Sequence, residues 1–292
     1  MHNLVPITVD TKLIPLLGKP LRQSFAPRMQ NSAYQAMGFD GVYFPLEIEN
    51  DHLSDVVNAL RWMNVPGFAV TKPNKVEVLQ YLDEIDELAR KMGACNTVVN
   101  NNGVLKGYNT DGVGGVTDLI RHGIDIASCT FFALGAGGAG RAMCFTLAHY
   151  GAKKMYIVDC TDAGTELAEE VNKNFGQIAT ACHTDDKETM LKMVRDSDVL
   201  MNLAGVGMYP NVEETWIDKK YLEHLPVCFD ATYNPLKTQF LLDAEEIGCK
   251  IINGLGMSIN QGAVQAHLWT GQPEPYEAMT KEINAILKEQ ES

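Results

Sequence analysis

A glycine-rich segment in the middle of the chain has the spacing of a dinucleotide-binding turn. Three glycines fit the pattern G-x-G-x-x-G, between an apolar run and a stretch of helical character. In such a turn the first glycine permits a tight bend, the second lets the backbone approach a pyrophosphate, and the third allows a helix to pack closely on a strand. The N-terminus of that helix offers free N–H groups to the anion. The segment predicts a dinucleotide site formed by Gly135, Ala136, Gly137, Gly138, Ala139 and Gly140.

An acidic residue ends the next apolar run, at the place where a ribose would be recognised. Asp159 there can hydrogen-bond both ribose hydroxyls, and its charge would repel a 2′-phosphate. Cys160 and Thr161 follow it, so the usual basic pair that accepts such a phosphate is absent. We therefore expect NAD rather than NADP as the cofactor, with Asp162 as the competing ribose ligand. The alternative is a structural glycine turn followed by an exposed aspartate.

A lysine follows a short apolar run in the first third of the chain. The segment from Gly67 to Lys75 begins as a strand, is broken by Pro73, and is expected to enter a helix near Asn74. A lysine in such a turn can point into a cleft and act on a substrate. On this segment alone, a solvated surface lysine is the more common interpretation.

Amides and hydroxyls suited to a polyol follow in two short motifs. Asn96 and Thr97 lie in the first motif, and Asn109 lies in the second. Asp111 ends the second motif where a loop enters a helix. Its carboxylate is either a catalytic group or an N-cap, and the motif alone leaves both interpretations open.

These motifs, in their residue types and in their order along the chain, resemble those of the shikimate dehydrogenase family over nearly the whole chain, most of all its quinate/shikimate branch. The resemblance begins in an opening loop, includes the lysine turn and the two polar motifs, and continues through the second half of the chain. The matching segments are residues 18–27, 70–75, 93–97, 107–112, 202–208, 230–235, 254–257 and 269–271.

The resemblance implies a role for each matching residue. Lys75 and Asp111 would be the catalytic pair, and Gly256 and Met257 would line the nicotinamide site. The residues implied to bind the substrate are Ser24, Thr71, Asn96, Tyr233 and Gln261.

The chemistry of such an enzyme suits a lysine and a carboxylate. Hydride moves between the nicotinamide and a ring carbon that carries oxygen, and a proton must move as well. An ammonium group near the carbonyl can stabilise developing negative charge and donate that proton. A carboxylate within reach, as implied for Asp111, would orient Lys75 and favour its charged form. Which of the two is the formal acid–base stays open.

Three residues depart from the family pattern. Ala26 stands where the family usually has a second serine, Gln23 replaces a histidine, and Ala69 replaces a frequent asparagine. Losing one hydroxyl to a charged group weakens binding by about 1.5–3 kcal/mol unless Arg22, Gln23 or Ser24 replaces that donor. The departures affect the identity of the substrate more than the type of reaction.

The sequence is therefore interpreted as that of an oxidoreductase. We expect NAD-dependent, reversible oxidation of shikimate to 3-dehydroshikimate, of quinate to 3-dehydroquinate, or of both. A dehydrogenase for another small cyclic hydroxy or amino acid is one alternative. A non-catalytic protein that senses the acid or NAD is another, and the presence of both Lys75 and Asp111 argues against it.

The elements that position these residues alternate between strands and helices, which indicates an α/β fold with parallel sheets. Apolar runs predict strands at 13–17, 42–45, 67–70, 130–134, 155–159, 199–202, 227–230 and 250–252. Helical patterns cover 51–62, 138–150, 162–175, 238–247 and 258–287. We expect a substrate-binding domain over 1–110, with helices from 258–292 packing back on it, and a doubly wound Rossmann domain over 111–257. A cleft between the two lobes would hold the ligands.

Composition narrows the class of partner. The 292 residues are 46% hydrophobic and carry a formal net charge of −13. Such a surface repels phosphate backbones and anionic lipids, so we expect no nucleic-acid or membrane partner. No apolar run approaches a membrane span, and no signal-peptide core is recognised. We expect a cytoplasmic monomer or homodimer with a small-molecule substrate.

The cysteines are seven, scattered, and form no Cys-x-x-Cys pair. The histidines are equally dispersed. We expect reduced thiols and no metal site. The seven cysteines are Cys95, Cys129, Cys144, Cys160, Cys182, Cys228 and Cys249.

Overall fold

The computed structural model describes residues 7–22, 24–63 and 65–291. Gln23, one of the departures from the family pattern, lies outside the described residues. The chain forms two compact units. The first contains Met1–Thr110 together with Ile259–Ser292, and the second contains Asp111–Ser258.

The elements of the chain alternate as the sequence predicts. The strands are β1 (Lys12–Gly18), β2 (Gly41–Glu47), β3 (Gly67–Val70), β4 (Glu84–Ile85), β5 (Thr97–Asn101), β6 (Val104–Tyr108), β7 (Thr130–Leu134), β8 (Lys154–Asp159), β9 (Ala179–His183), β10 (Val199–Asn202), β11 (Val227–Asp230) and β12 (Ile251–Ile252). The α-helices are α1 (Ala26–Met37), α2 (Leu53–Trp62), α3 (Glu87–Met92), α4 (Asp111–Arg121), α5 (Gly138–His149), α6 (Ala163–Phe175), α7 (Lys187–Arg195), α8 (Gln239–Glu246), α9 (Gly254–Thr270) and α10 (Tyr276–Glu291). Short 3₁₀ helices occupy Asn50–His52, Glu77–Tyr81 and Lys219–Tyr221.

The first unit is built on a mixed sheet with the strand order β2-β1-β3-β5-β6-β4. β1 runs parallel to β2 and β3, whereas β5 is antiparallel to both β3 and β6. β1 and β3 are apolar runs without alternation, and burial of both faces explains that pattern. The C-terminal part of α9 packs on this sheet, where Trp269 Nε1 donates a 2.9 Å hydrogen bond to the carbonyl of Val98.

The second unit is a parallel sheet with the strand order β12-β11-β10-β7-β8-β9. Counted within the unit and from the other edge, the order is 3-2-1-4-5-6, which is that of a dinucleotide-binding Rossmann fold. β7 and β10 are neighbours whose following connections leave toward opposite sides, so the order of the strands reverses between them. Ligands of such sheets bind at this switch point, outside the carboxyl ends of the strands.

The eight strands predicted from apolar runs are confirmed, and their bounds agree within two residues. The predicted parallel pairing is found in the second unit and in part of the first, where the sheet is mixed because the segment that contains β5 and β6 folds as an antiparallel hairpin. The helix expected near Asn74 is also wrong. The chain makes a turn there and enters only a 3₁₀ helix at Glu77–Tyr81.

Candidate active site

The glycine-rich turn lies at the switch point of the second sheet. Gly135 follows β7 with φ +101° and sits against Ala204, the second residue after β10, whose backbone N would lie 2.7 Å from an added Cβ. A Cβ on Gly140 would collide with the carbonyl of Gly135, so only glycine lets α5 begin this close to the strand. Gly137 and Gly138 have open space where a Cβ would stand, which leaves their backbone accessible to a phosphate group. The turn therefore fits a dinucleotide pyrophosphate.

Asp159 ends β8 directly beside this turn. Its Oδ2 accepts a 2.7 Å hydrogen bond from the backbone N–H of Ala136, and its Oδ1 accepts bonds from the backbone and the hydroxyl of Thr161. Burial alone would raise the pKa of Asp159, but these hydrogen bonds outweigh it and hold the pKa below its ordinary value. The group at this position is thus an ionised carboxylate. The competing Asp162 is exposed and caps α6 without a side-chain hydrogen bond.

The loop that follows β11 is held by a second aspartate. Asp230 is fully buried and accepts hydrogen bonds from the backbone of Thr232 and from the side chains of Asn202 and Thr238. Burial raises its pKa, although these donors oppose the rise. The bonds fix the start of the loop that carries Tyr233. That tyrosine is half-buried, and burial raises its pKa.

The start of α9 adjoins the same loop. Gly254 donates its backbone N–H to the carbonyl of Thr232 at 3.1 Å, and a Cβ on Gly254 would strike the backbone of Ala231. Met257 lies in the same turn, and its Sδ would stand 3.4 Å from a Cβ added to Gly115 on α4. The first turn of α9 is thus packed between this loop and α4.

In the first unit, backbone hydrogen bonds hold both ends of the lysine turn, residues 71–75. The backbone N–H of Thr71 donates to Leu17, and the carbonyl of Lys75 accepts a 2.8 Å hydrogen bond from the N–H of Cys95. Asn74 is fully buried inside the turn and donates its side-chain amide to the carbonyl of Ile48. The Lys75 side chain is therefore presented, partly exposed, from a fixed backbone.

A buried amide network lies beside this turn. The Oδ1 atom of Asn96 accepts a 2.8 Å hydrogen bond from the backbone N–H of Thr110 and a 2.7 Å bond from the hydroxyl of Thr97. Its Nδ2 donates at 3.0 Å to the hydroxyl of Thr110 and lies 3.5 Å from Oε1 of Gln261. Gln265 completes the network by donating to the hydroxyl of Thr97 at 2.9 Å.

The structure therefore gathers four of the predicted residues in the first unit. The backbone carbonyl of Lys75 accepts a hydrogen bond from the N–H of Cys95, next to Asn96 in the chain. The backbone N–H of Val70, next to Thr71, donates to the carbonyl of Asn96. Gln261 reaches the same amide. Thr97 and Asn109, which the sequence also suggested as polyol ligands, are buried and hydrogen-bond within the protein through their side chains, so contact with a polyol stays a prediction for them.

Ser24 belongs to a different local structure. Its hydroxyl accepts a 3.3 Å hydrogen bond from the backbone of Ala26, the first residue of α1, and so supports the start of that helix. The residue is half-exposed, so the hydroxyl remains partly accessible. Ala26 offers no hydroxyl, and Arg22 beside this turn is exposed. Ala69, the third departure, is buried in β3.

Asp111 is the first residue of α4 in the second unit. This confirms that it stands where a loop enters a helix. The position agrees with a helix-starting role, since acidic groups stabilise a first turn. It leaves the catalytic role of the carboxylate as a prediction.

Two residues that the sequence predictions gave no role support the site. Gln265 supports Asn96 but looks like an ordinary polar position of a helix. Asp118 lies on the buried face of α4 and is 1% exposed. Its signal was present in the sequence, because an aspartate three residues after Gly115 falls on the face formed by the small residues of the helix.

The remaining chemistry of the described residues is simple. None of the seven cysteines, all of which lie within the described residues, forms a disulfide, and Cys160 is exposed. Across residues 7–22, 24–63 and 65–291, no cluster of three or more His, Cys, Asp or Glu side chains is placed to hold a metal ion. No helix within the same residues is both long and apolar enough to span a membrane.

Comparison with known proteins decides the family. Residues 16–98 match the shikimate dehydrogenase substrate binding domain, and residues 254–283 match the shikimate 5′-dehydrogenase C-terminal domain. The shikimate dehydrogenase (NADP(+)) of Alkaliphilus oremlandii is 41% identical over 279 residues, which cover 95% of this chain and 98% of that protein. The chain belongs to the shikimate dehydrogenase family. It is accordingly an oxidoreductase that acts on a CH–OH group with a nicotinamide cofactor.

Solved structures of this family have the same fold. Shikimate 5-dehydrogenase from Listeria monocytogenes, in complex with shikimate and NAD, superposes with a TM-score of 0.92 at 37% identity, covering 95% of this chain and 98% of that one. Quinate dehydrogenase from Corynebacterium glutamicum, in complex with NAD, gives a TM-score of 0.86 at 26% identity, covering 94% and 99%. The predicted two-domain α/β class, with a Rossmann sheet, is confirmed.

Proposed function

We propose that this protein is a shikimate dehydrogenase that uses NAD in preference to NADP. Its substrate would be oxidised at one ring hydroxyl and regenerated in the reverse direction. The observation that carries the proposal is the junction of the lysine turn with the amide network. The backbone carbonyl of Lys75 accepts a hydrogen bond from the N–H of Cys95, the residue before Asn96. This bond joins the turn that carries a general acid–base candidate to groups suited to a ring polyol.

The glycine turn and the first turn of α9 are the proposed cofactor-binding elements. Gly135, Ala136, Gly137, Gly138, Ala139 and Gly140 would hold the pyrophosphate, and Gly256 and Met257 would line the nicotinamide. When bound, the nicotinamide supplies or accepts the hydride. The accessible backbone of Gly137 and Gly138 supports the assignment.

Proton transfer is assigned to Lys75. In the direction of reduction its ammonium would donate a proton to the carbonyl oxygen, and in the direction of oxidation the amine would receive it from the hydroxyl. The positive charge would also stabilise negative charge that develops on that oxygen. Asp111 is proposed as its partner, because a nearby carboxylate favours the charged form of a lysine.

Binding of the acid is assigned to Ser24, Thr71, Asn96, Tyr233 and Gln261. The network around Asn96 fixes the orientation of its side-chain amide, and a preorganised group of this kind orients a substrate with little further ordering. Ala26 cannot supply a second hydroxyl to the substrate carboxylate. The exposed Arg22 is the proposed compensating donor.

The preference for NAD follows from Asp159. Its pKa is held below the ordinary range by hydrogen bonds, so a negative charge stands where a 2′-phosphate would approach. Residues 159–163 contain no lysine or arginine to neutralise that phosphate. The Listeria relative was solved with NAD, whereas the Alkaliphilus relative is named for NADP. The two cofactors must therefore be compared directly.

Quinate is the second candidate substrate. The likeness to a quinate dehydrogenase with bound NAD favours it, and so does the resemblance of the lysine turn to the quinate/shikimate branch. The two acids share a ring carboxylate and ring hydroxyls. The same residues would therefore bind both.

The deciding experiment uses purified protein and follows the absorbance of reduced cofactor. Shikimate and quinate are each paired with NAD and with NADP, and kcat/KM is measured for all four combinations. We expect turnover with shikimate and NAD at a kcat/KM at least about tenfold above that with NADP. Absence of turnover in all four combinations would contradict the proposed activity. A preference for NADP would contradict only the assignment of Asp159.

A further inference from the structure

A buried carboxyl group fills the space beside Gly256 at the start of α9. Asp118 lies on α4 and is 1% exposed. A Cβ added to Gly256 would collide with the carboxyl carbon and both carboxyl oxygens of Asp118. The carboxyl group thus occupies the place of a side chain at position 256. Its Oδ2 atom is buried without a hydrogen-bond partner in the described part of the chain.

The charged groups around this carboxyl are few. His122 lies one turn further along α4, with its Nδ1 atom 3.5 Å from Oδ1 of Asp118. The positive charge of Arg121, on the same helix, also attracts the Asp118 carboxylate. Lys250, just before β12, donates to the carbonyl of His122. The first turn of α9, residues 254–257, contains no titratable side chain. Burial raises the pKa of Asp118 to about 6, opposed by His122 and Arg121.

Such a group is unfavourable for folding, because an ionised carboxylate loses its hydration when it is buried. Its position explains what it can do when it is charged. The first turn of a helix carries a positive partial charge, and α9 has 17 residues. An ionised Asp118 packed against Gly256 is attracted to that turn. A protonated Asp118 loses this attraction.

We propose that Asp118 is a positioning residue whose charge holds the first turn of α9 in the arrangement that receives the nicotinamide half of the cofactor. The inference rests on the proposed function, in which Gly256 and Met257 line the nicotinamide. Asp118 touches neither the reacting atoms nor the glycine turn in this scheme. It therefore affects the affinity for the whole dinucleotide and leaves the affinity for the ADP-ribose half unchanged.

The test compares NADH with ADP-ribose, which lacks the nicotinamide, by isothermal titration calorimetry without substrate. The proteins are the wild type, Asp118→Asn and the control Glu166→Gln, which removes an exposed acid from the first turn of α6. At about pH 8 we expect Asp118→Asn to bind NADH about tenfold more weakly than the wild type. When the pH is lowered from about 8 to 5.5, the affinity of the wild type for NADH should fall about threefold, and that of Asp118→Asn should not change.

ADP-ribose should bind equally to all three proteins, and the control should follow the wild type with both ligands. Gly256→Ala is a second variant, because its methyl group must displace the Asp118 carboxyl. It should weaken the binding of NADH and leave the binding of ADP-ribose unchanged. Equal binding of NADH by Asp118→Asn and the wild type at every pH overturns the proposal. Equal weakening of both ligands also overturns it, since it indicates a general structural defect. A wild type that binds neither ligand overturns the proposed function, and this inference with it.

Discussion

The carboxylate of Asp159 accepts a 2.7 Å hydrogen bond from the backbone N–H of Ala136. The residue proposed to recognise the ribose is therefore tied directly to the turn proposed to hold the pyrophosphate. The bond leaves the negative charge at the end of β8 and contributes to lowering the pKa of Asp159. The proposed cofactor preference would then depend on one short segment of the chain.

Removing this carboxylate should raise the efficiency of turnover with NADP relative to NAD. We expect Asp159→Ser to lower kcat/KM for NAD and to raise the NADP:NAD ratio of kcat/KM by about tenfold or more, since one repulsive charge is lost. Asp162→Ala is the matched control, because that acid is exposed at the start of α6. A ratio that moves only in the control would assign the ribose site to Asp162.

Because the pKa of Asp159 is lowered, its charge is retained below the pH at which an ordinary aspartate protonates. The proposed preference for NAD should consequently stay constant from neutral pH down to about pH 5. The ratio of kcat/KM for the two cofactors, measured at several pH values, checks this expectation. A preference that declines already between about pH 7 and 5 would contradict it.

Replacement of the proposed acid–base should remove turnover and leave the fold intact. We expect Lys75→Ala to lower kcat by about 10²–10⁴-fold. The neighbouring Lys72 is exposed in the same turn, so Lys72→Ala controls for the loss of a positive charge. Thermal melting should give similar Tm values for both variants and the wild type. Near wild-type turnover by Lys75→Ala would show that the assignment is wrong.

The support of Asn96 by Gln265 should be visible in substrate binding. In Gln265→Leu the hydroxyl of Thr97 loses a 2.9 Å hydrogen bond, and the amide of Asn96 loses its fixed orientation. We expect KM for the acid to rise about tenfold, an unchanged Kd for NADH, and a loss of about 1–3 kcal/mol in the free energy of unfolding. His267→Ala, at an exposed position on the same helix, should behave as the wild type.

The glycine turn offers a matched pair for stability. Gly140→Ala places a methyl group against the carbonyl of Gly135, whereas Gly138→Ala places one in open space. We expect the first change to lower the free energy of unfolding by about 1–3 kcal/mol or more, and the second to alter it by less than about 1 kcal/mol. Denaturant unfolding of both variants measures the difference. Equal losses would mean that the turn can relax.

Asp118 should make stability depend on pH in a defined direction. Its pKa is raised from an ordinary value near 4 to about 6 in the folded state, so ionisation is harder when the protein is folded. Its contribution to the free energy of unfolding therefore decreases as pH rises from about 4 to 6, by about 3 kcal/mol at most. Asp118→Asn should be more stable than the wild type at about pH 7.5 and similar to it at about pH 4. The reverse order would contradict the raised pKa.

Apolar runs gave the skeleton of both sheets, because strands buried on both faces need continuous hydrophobic segments. The same rule missed β4, β5, β6 and β9. In β5, Asn100 and Asn101 interrupt the apolar pattern, and in β9, Thr180 and His183 face outward on an edge strand. Polar residues in a strand resemble a loop when only composition is read. Their pairing partners, which decide the matter, are distant in sequence.

The candidate site was predictable where it follows a local motif and not where it depends on packing. Gly135 and Asp159 belong to a spacing rule with a mechanical reason behind each position. The contact of Asp118 with Gly256 joins positions far apart in the chain, and so does the bond from Gln265 to Thr97. No periodicity in the sequence carries such information.

The start of the glycine turn is held in place by contacts within the second unit. The N–H of Gly135 donates to the carbonyl of Val158, and the N–H of Ala136 donates to the carboxylate of Asp159. A Cβ added to Gly135 would collide with Ala204, and one added to Gly140 would collide with the carbonyl of Gly135. A dinucleotide that binds there, as proposed, would therefore cost little conformational entropy at Gly135 and Ala136, and more of the contact energy would be retained as affinity. The order already present at Gly135 and Ala136 would in this way contribute to the affinity for the cofactor.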